Sequence, residues 1–416
     1  MRTTYACSLA SFGFALALPA SAQLVPAPQP ASEDPIAILV GRLDLERYKE
    51  TVLGLTRFGD RREGTERNRN AVDWIEQQLQ SYGCPTERLY YTYDPAPPPP
   101  PPRLSPADSA ARAQARARMA SSPVIASGEV RRGPGGSRYR GITSPTSVNN
   151  DPMRQPDERL RELNSEPAVN GPRSQVYCTK VGATRPDEMY IVGAHMDGHG
   201  WGEAANDNGS GTALVMELAR IFSNPDVVTD RSIRFALWNN EETGLNGAEA
   251  YVEQRAGLQG QLDRRDPEPK WLGMIQHDMM MWDHGMPRAD GTWNPEQRPE
   301  ADVNIEFQSG ALRSDEAMRL AFFFREANER YATDYPAAVG PHMTNTDSTP
   351  FMDFTPSISL RENERGMHTG AGWNPTWHQP IDVFTTFSDK DFRLGLNAAQ
   401  TTLSAVGLLV GARIGR

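Results

Sequence analysis

Basic residues are outnumbered by acidic ones in this sequence. Its 416 residues include 43 Lys and Arg against 53 Asp and Glu, which gives a formal net charge of −10. A surface that binds phosphate groups needs an excess of basic side chains. We therefore expect no nucleic-acid partner. A chain of this length is nevertheless able to bury at least one large core.

Long apolar runs are also lacking. The N-terminal run through Leu18 is too short for a stable membrane span. The last predicted helix is apolar on one side but carries Asn397, Gln400 and Thr401, so we interpret it as a packing helix. The sequence therefore predicts no stable membrane span.

Residues 1–22 have instead the pattern of a secretory signal. Arg2 supplies the positive start, and the small residues 20–22 offer a cleavage site after the apolar run. We expect a mature chain that begins near Gln23 and is periplasmic or secreted. An uncleaved anchor is the alternative interpretation of this segment.

Cysteine is scarce as well, with three in the chain. Cys7 would leave with the signal, so Cys84 and Cys178 are the remaining pair, in a compartment that permits oxidation. The sequence does not show whether their Cβ atoms meet. A disulfide and two buried free thiols are therefore both open.

Composition divides the rest of the chain into three segments. Residues 23–94 include a predicted amphipathic helix from Glu66 to Tyr82, and residues 174–416 form the main part of the folded domain. Between them, residues 95–173 carry an unbroken proline run (97–102) and an Arg/Ala-rich stretch. Such a composition buries little apolar surface, so we predict an extended or disordered insertion. A solvated linker is favoured over a contact with a membrane or partner.

From residue 174 onward, strands and helices alternate. The predicted strands are MYIVGAH, SIRFALW, WLGMIQH, VNIEFQS and PSISL, and the predicted helices are Gly209–Phe222, SDEAMRLAFFFREANERYA and the segment after Ser388. Near-continuous apolar strands that alternate with helices are typical of α/β folds. We predict a three-layer α/β sandwich with a mixed, largely parallel central sheet flanked by helices.

Polar residues follow these strands where each strand ends. They are His195 and Asp197 after the first strand, Asp207 before the next helix, Glu241 and Glu242 after the second strand, Asp278 after the third, and His378 in a later loop. Ligands bind beyond the carboxyl ends of parallel strands. We therefore expect these side chains to gather at one edge of the sheet.

Carboxylates and imidazoles that converge without cysteine suit a zinc-type divalent ion. Five candidate ligands are too many for one catalytic zinc ion, which takes three protein ligands and a water. They suit two ions that share a bridging carboxylate. One member of the Glu241–Glu242 pair would then bind metal, while its neighbour acts as the general base of a hydrolysis.

Each residue also has a simpler interpretation. His195 alone fits a core histidine, Asp207 fits a helix cap, and paired glutamates are common on surfaces. His277 should face away from Asp278, because side chains alternate along a strand. The remaining histidines lie in loops without a clear role; they are His199, His284, His342 and His368.

Taken together, the motifs resemble the secreted zinc aminopeptidase family, whose members include bacterial leucyl-type aminopeptidases, plasma glutamate carboxypeptidase and, more remotely, glutaminyl cyclase. The resemblance extends from about Arg57 to Gly407 without the insertion. It rests on GAHMD (Gly193–Asp197), ANDNGSG (Ala205–Gly211), NNEETGLNGA (Asn239–Ala248), the aspartate of IQHDM, and NPTWHQPID (Asn374–Asp382).

The resemblance implies two Zn²⁺ ions per chain, bridged by Asp207. His195 and Asp278 would complete one site, and Glu242 and His378 the other. The general base would be Glu241. It further implies that the Asp197 carboxylate orients the imidazole of His195, and that the peptide bond between Asp207 and Asn208 is cis.

The expected activity is that of an aminopeptidase acting on peptides. A carboxypeptidase or dipeptidase on the same dizinc centre would need a basic residue for the substrate carboxylate, and Arg361 or Arg365 offers one. Glutaminyl cyclisation with a single zinc ion is another alternative, and a binding protein with a degenerate site is the non-enzymatic one. Thr346–Phe351 and Trp377 depart from the family pattern near the expected substrate pocket, so the specificity stays open.

Overall fold

The computed structural model describes residues 34–95, 131–132, 138–139, 148–261, 268–283, 303–332, 334–341, 346–362, 374 and 376–415. The predicted signal (1–22) lies outside the described residues, and so does most of the predicted insertion. Outside them as well are His284, His342, His368 and Arg365.

Eight strands of the described chain form one sheet. They are β1 (Thr86–Tyr93), β2 (Gly171–Lys180), β3 (Arg185–His195), β4 (Arg231–Trp238), β5 (Lys270–His277), β6 (Val303–Phe307), β7 (Ala337–Gly340) and β8 (Ser357–Arg361). Their order is β1-β2-β4-β3-β5-β8-β6-β7. The four central strands β4, β3, β5 and β8 are parallel to one another. The pairs β1–β2, β2–β4 and β6–β8 are antiparallel. The mixed α/β sheet predicted from the sequence is confirmed.

The sheet buries both faces, because successive side chains of a strand point to opposite sides. Val192 and Phe235 belong to the larger apolar cluster on one face, and their neighbours Ile191 and Ala236 belong to a second cluster on the other face. A strand buried on both sides needs apolar residues at consecutive positions. This requirement explains the continuous apolar runs in the sequence.

Helices cover the two faces of the sheet. They are α1 (Pro35–Val40), α2 (Leu45–Thr56), α3 (Glu66–Ser81), α4 (Glu158–Asn164), α5 (Gly211–Phe222), α6 (Asn246–Arg255), α7 (Ser314–Tyr331) and α8 (Asp389–Val410). The larger cluster draws side chains from α1, α2, α3, α5, α7 and α8, and α6 packs on the opposite face. The last helix begins with a capping box between Ser388 and Asp391 and ends at Gly411, whose φ of 67° suits glycine.

The predicted extent of the insertion, residues 95–173, is wrong at its C-terminal end. Helix α4 lies within it, and β2 begins at Gly171. The side-chain amide of Gln155 donates to the backbone oxygens of Trp201 and Pro380, and that of Asn164 donates to the oxygen of Gly202. Buried amides that satisfy loop carbonyls hold this segment to the domain, although it has few apolar residues.

Two further observations concern features considered in the sequence. Cys84 and Cys178 are joined by a disulfide that links the third residue after α3 to the C-terminal part of β2. None of the helices in the described ranges has the length and apolar character needed to cross a membrane.

Candidate metal centre

Three neighbouring parallel strands end at the same edge of the sheet and carry the predicted residues to it. His195 is the last residue of β3, Asp278 directly follows β5, and Glu241 and Glu242 follow β4 after two asparagines. Asp207 lies in the segment that leads into α5. The order of the strands therefore gathers residues that lie far apart in the sequence.

Asp207 lies between two histidines. Its Oδ1 is 3.3 Å from Nε2 of His195, and its Oδ2 is 3.2 Å from Nε2 of His378. On one side, Nε2 of His195 is also 3.7 Å from Oδ1 of Asp278. On the other side, Nε2 of His378 is 2.9 Å from Oε2 of Glu242. A carboxylate that presents one oxygen to each of two such groups has the arrangement of a bridging ligand.

The local backbone holds Asp207 in this position. The backbone N–H groups of Asn206 and Asp207 donate to the two carboxylate oxygens of Asp382, at 2.8 and 3.0 Å. The peptide bond between Asp207 and Asn208 is cis. A Cβ atom on Gly211 would lie 2.4 Å from the side-chain oxygen of Asn208, so α5 is able to start at once only with glycine there.

Glu241 differs from the other carboxylates of the group. Within the described part of the chain, no hydrogen bond to its carboxylate is found. Glu241 lines a cavity of about 280 Å³, whose wall also includes His195, Asp207, Glu242, Asp278, His378, Leu245 and Trp377. Burial and the nearby charges of Glu242, Asp347 and Asp278 raise its pKa well above the ordinary value. A carboxylate with a raised pKa that faces a cavity has the properties of a proton acceptor.

The charged groups shift one another's pKa values strongly. Burial opposes the charge on His378, but Glu242 and Asp207 outweigh it and raise the pKa to about 10. Burial also opposes ionisation of Glu242, yet His199 and His378 lower its pKa to about 2. The pKa of Asp207 lies well below its ordinary value, since His195 and His378 outweigh the effect of burial. The imidazoles of His195 and His378 thus offset part of the negative charge of the carboxylates beside them.

The donor set fits a divalent metal ion such as zinc. It consists of imidazole nitrogens and carboxylate oxygens at separations that one ion is able to span. Oε1 of Glu242 is buried without a hydrogen-bond partner among the described residues. A buried carboxylate oxygen without a donor is costly unless a cation completes its surroundings.

Asp197 contacts His195 differently from the expectation. Nδ1 of His195 is 3.0 Å from the backbone oxygen of Asp197 and 3.8 Å from its Oδ1. The carboxylate accepts hydrogen bonds from the backbone N–H groups of Glu241 and Glu242, at 3.1 and 3.3 Å. Asp197 therefore orients the imidazole chiefly through its main chain, while its side chain fixes the start of the glutamate loop.

Two further residues contact carboxylates of the centre in a way that the sequence did not predict. His199, interpreted as a loop histidine, places Nε2 3.0 Å from Oε2 of Glu242. Arg361, considered as a grip for substrate, is 1% exposed and places Nη2 2.8 Å from Oδ2 of Asp278. Burial opposes ionisation of Asp278, but Arg361 and His195 lower its pKa to about 2. The sequence carried a weak signal for His199, which stands between Gly198 and Gly200.

His277 faces away from the centre, as the alternation along β5 predicts. Its Nδ1 is 3.1 Å from the backbone oxygen of Gly193, and its Nε2 is 2.8 Å from the hydroxyl of Thr402 in α8. Burial lowers its pKa to about 4, so the ring is neutral. This residue is a packing histidine of the core.

Comparison with known proteins places the chain in a family. The model of peptidase family M28 matches residues 176–399, which is more than half of the 416 residues. The chain belongs to peptidase family M28. The match covers β3, β4, β5 and the whole set of site residues, from His195 to His378.

The curated proteins similar to this chain include aminopeptidases. A segment of 68 residues is 43% identical to aminopeptidase YwaD of Bacillus subtilis and covers 16% of this chain and 14% of that protein. The segments matched in the curated relatives span only 13–20% of the relatives' own length.

Solved structures show the same fold at low identity. A zinc aminopeptidase from Bacillus subtilis superposes with a TM-score of 0.57 at 17% identity, over 88% of this chain and 95% of that chain. Glutaminyl cyclase of Porphyromonas gingivalis superposes with a TM-score of 0.53 at 14% identity, over 88% of this chain and 99% of that chain. The M28 fold therefore accommodates more than one activity.

Proposed function

We propose that this chain is a metallo-aminopeptidase that binds two zinc ions and removes N-terminal residues from peptides. The observation that carries the proposal is the position of Asp207, which presents one oxygen to His195 and the other to His378. Membership of a peptidase family and the aminopeptidases among the similar proteins support it.

Five residues would hold the two ions. His195 and Asp278 would bind one, Glu242 and His378 the other, and Asp207 would bind both. Zinc ions in such a pair polarise the scissile carbonyl and lower the pKa of a water molecule to near neutrality. Leu245 and Trp377 line the same cavity as these five residues, and they would exclude water around the substrate.

Glu241 would act as the general base. Its carboxylate faces the cavity and has no competing hydrogen bond among the described residues. It would accept a proton from the attacking water at a carboxylate oxygen and donate that proton to the leaving amine. The carboxylate of Asp197 would keep Glu241 in place, because it accepts a hydrogen bond from the backbone N–H of Glu241.

The carboxypeptidase alternative receives less support. It needs a cation that reaches the substrate carboxylate, and Arg361 is buried against Asp278 and Glu306 instead. The other candidate for that contact, Arg365, lies outside the described residues. A single-zinc cyclase would need one metal position, whereas the described residues offer donors for two.

Metal analysis together with a substrate panel tests the proposal. The purified chain should contain close to two zinc ions and cleave free aminoacyl peptides and carboxyl-blocked peptides, but not peptides with an acylated amino group. Cleavage that requires a free carboxylate and tolerates the acyl group would favour the carboxypeptidase. One tightly held zinc ion, with cyclisation of N-terminal glutamine, would favour the cyclase. Absence of both metal uptake and turnover would contradict all three.

The proposed location is periplasmic or extracellular. It rests on the signal pattern of residues 1–22. The disulfide between Cys84 and Cys178 supports it, since such bonds persist in oxidising compartments. Peptides are the proposed substrates, without a nucleic-acid partner.

A further inference from the structure

The structure brings a third imidazole to the centre. Nε2 of His199 and Nε2 of His378 approach the same atom, Oε2 of Glu242, at 3.0 and 2.9 Å. The two rings meet edge to face with centroids 4.1 Å apart. Donor atoms of all three residues lie within 4.8 Å of one another, which is close enough to surround one metal ion.

The loop that carries His199 is fixed on both sides of it. A Cβ atom on Gly200, where φ is +101°, would lie 2.4 Å from the backbone carbon of His378. A Cβ atom on Gly198 would lie 2.9 Å from the backbone oxygen of Asp207. Since the glycines allow the loop to touch the backbones of two proposed ligands, the imidazole of His199 is positioned relative to both.

The surroundings of Glu242 favour a cation between these groups. Its Oε2 faces two imidazole nitrogens, and its Oε1 is buried without a hydrogen-bond partner among the described residues. The side chain of His199 is 16% exposed, so its ring lies at the wall of the centre and not in open solvent. Two imidazoles and a carboxylate are a common ligand set for zinc.

We propose that His199 is a sixth protein ligand and makes the two metal positions unequal. This proposal rests on the dizinc function proposed above. One position would have four protein ligands, namely Asp207, Glu242, His378 and His199; the other would have three, namely Asp207, His195 and Asp278. Zinc with four protein ligands forms a closed site, whereas a catalytic zinc keeps a position for water. The ion at His195 and Asp278 would therefore carry the open position, and the ion at Glu242 would be held more tightly.

Cobalt substitution of the wild-type chain gives the first test. High-spin Co²⁺ shifts the Nδ1–H proton signal of every histidine that binds it through Nε2. Three shifted, exchangeable imidazole signals are expected in the fully loaded protein, from His195, His378 and His199. Two signals would overturn the proposal. This measurement needs no variant and therefore does not depend on how a substitution affects folding.

The variants H199Q and H199C give the second test. Glutamine keeps a polar side chain beside Glu242 but is a poor zinc ligand, so H199Q should lose affinity for one of the two ions by about 10–100-fold or more. In H199C, a thiolate-to-cobalt charge-transfer band should appear. L245C is the matched control, because Leu245 lines the same cavity on another loop; it should show no band.

The outcomes separate this proposal from the proposed function. If the wild type binds two ions and cleaves peptides, but H199Q keeps both affinities and H199C gives no band, His199 is only a polar neighbour of Glu242 and the proposal fails alone. A band of equal strength in L245C would also contradict it. If the wild type takes up no metal, the proposed function fails, and this inference with it.

Discussion

Two groups of charged side chains in the described part of the chain are built in opposite ways. In the first, here called the Arg234 cluster (Arg234, Tyr251, Glu268 and Trp271), each charge has a partner. Nη1 of Arg234 lies 2.7 Å from Oε2 of Glu268, and the hydroxyl of Tyr251 and the indole N–H of Trp271 donate to Oε1 at 2.9 and 2.5 Å. Arg234 also lies 4.5 Å from the ring centre of Tyr177.

Among the described residues of the metal centre, by contrast, carboxylates outnumber permanent cations. Asp207, Glu241, Glu242 and Asp278 converge there, and Arg361 is the arginine that pairs with one of them. Histidines complete the balance only in their charged form. A cluster that is complete without a ligand serves the fold, and a cluster with surplus negative charge is suited to bind cations. The two groups can be tested against each other.

The largest expected effect is the loss of turnover in E241Q. Because general-base catalysis contributes about 10²–10⁴-fold, kcat should fall by about that factor while both metal ions stay bound. Hydrolysis of an aminoacyl-nitroanilide and the zinc content of the same preparation measure the two quantities. E242Q is the matched control, since it should lose metal. An E241Q variant with normal turnover would contradict the proposed mechanism.

Breaking the Arg234 cluster should affect stability and leave the metal centre unchanged. R234M removes the partner of a buried carboxylate, so the free energy of unfolding should fall by about 3–5 kcal/mol. Denaturant unfolding measures this loss, and zinc content should stay at the wild-type value. The double variant R234M/E268L should recover much of the stability. If R234M also released metal, the two clusters would not be independent.

Removing metal from the metal centre should lower the stability of the protein. A ligand present at about 100 times its dissociation constant stabilises the native state by about 2.7 kcal/mol, so chelation should lower Tm by a corresponding amount. Thermal unfolding with and without a chelator measures it. The same shift should occur in R234M, because distant sites contribute additively. Equal Tm values in both conditions would indicate that metal does not bind the native fold.

The smallest effect is expected at Arg361, which lies at the boundary of the metal centre. Its Nη2 holds Oδ2 of Asp278, so Oδ1 is left toward His195. In R361M the carboxylate is free to rotate, and the dissociation constant of one metal ion should rise by about 10–100-fold. Calorimetric titration of the metal-free protein measures it. E306Q is the control, because Glu306 contacts Nε of Arg361 at 3.5 Å, and Nη2 contacts Asp278. Unchanged affinity in R361M would show that Asp278 needs no such support.

The sequence predicted the sheet and the strand-end residues well for a physical reason. A strand buried on both faces must be apolar at every position, so the runs around Ile191, Phe235 and Ile275 stand out in the sequence. The residue that follows such a run then lies at the sheet edge. No knowledge of long-range contacts is needed for that inference.

Features that depend on contacts between loops could not be predicted from the sequence. The approach of His199 to His378 depends on a positive φ at Gly200 and on a contact between loops about 180 residues apart in the sequence. Helix α4 has seven residues, too few for a periodic pattern to be distinguished from the polar insertion around it. Helices α1 and α2 lie in residues 23–94, where the sequence predicted only the helix from Glu66 to Tyr82. Short helices of this kind are stabilised by tertiary packing of residues such as Leu39 and Val52, which a local pattern does not show.

The disulfide has a consequence for how the chain tolerates change. Cys84 and Cys178 are 94 residues apart, and the whole stretch of 95–173 lies between them. A protease that cuts once anywhere in that interval leaves two fragments that stay joined by a covalent bond. The cleaved protein would migrate as one species until a reductant is added and would keep α3 and β1 beside β2. The disulfide would thus keep the folded domain together after a cut in the Pro-rich and Arg/Ala-rich segment, whose composition favours proteolysis.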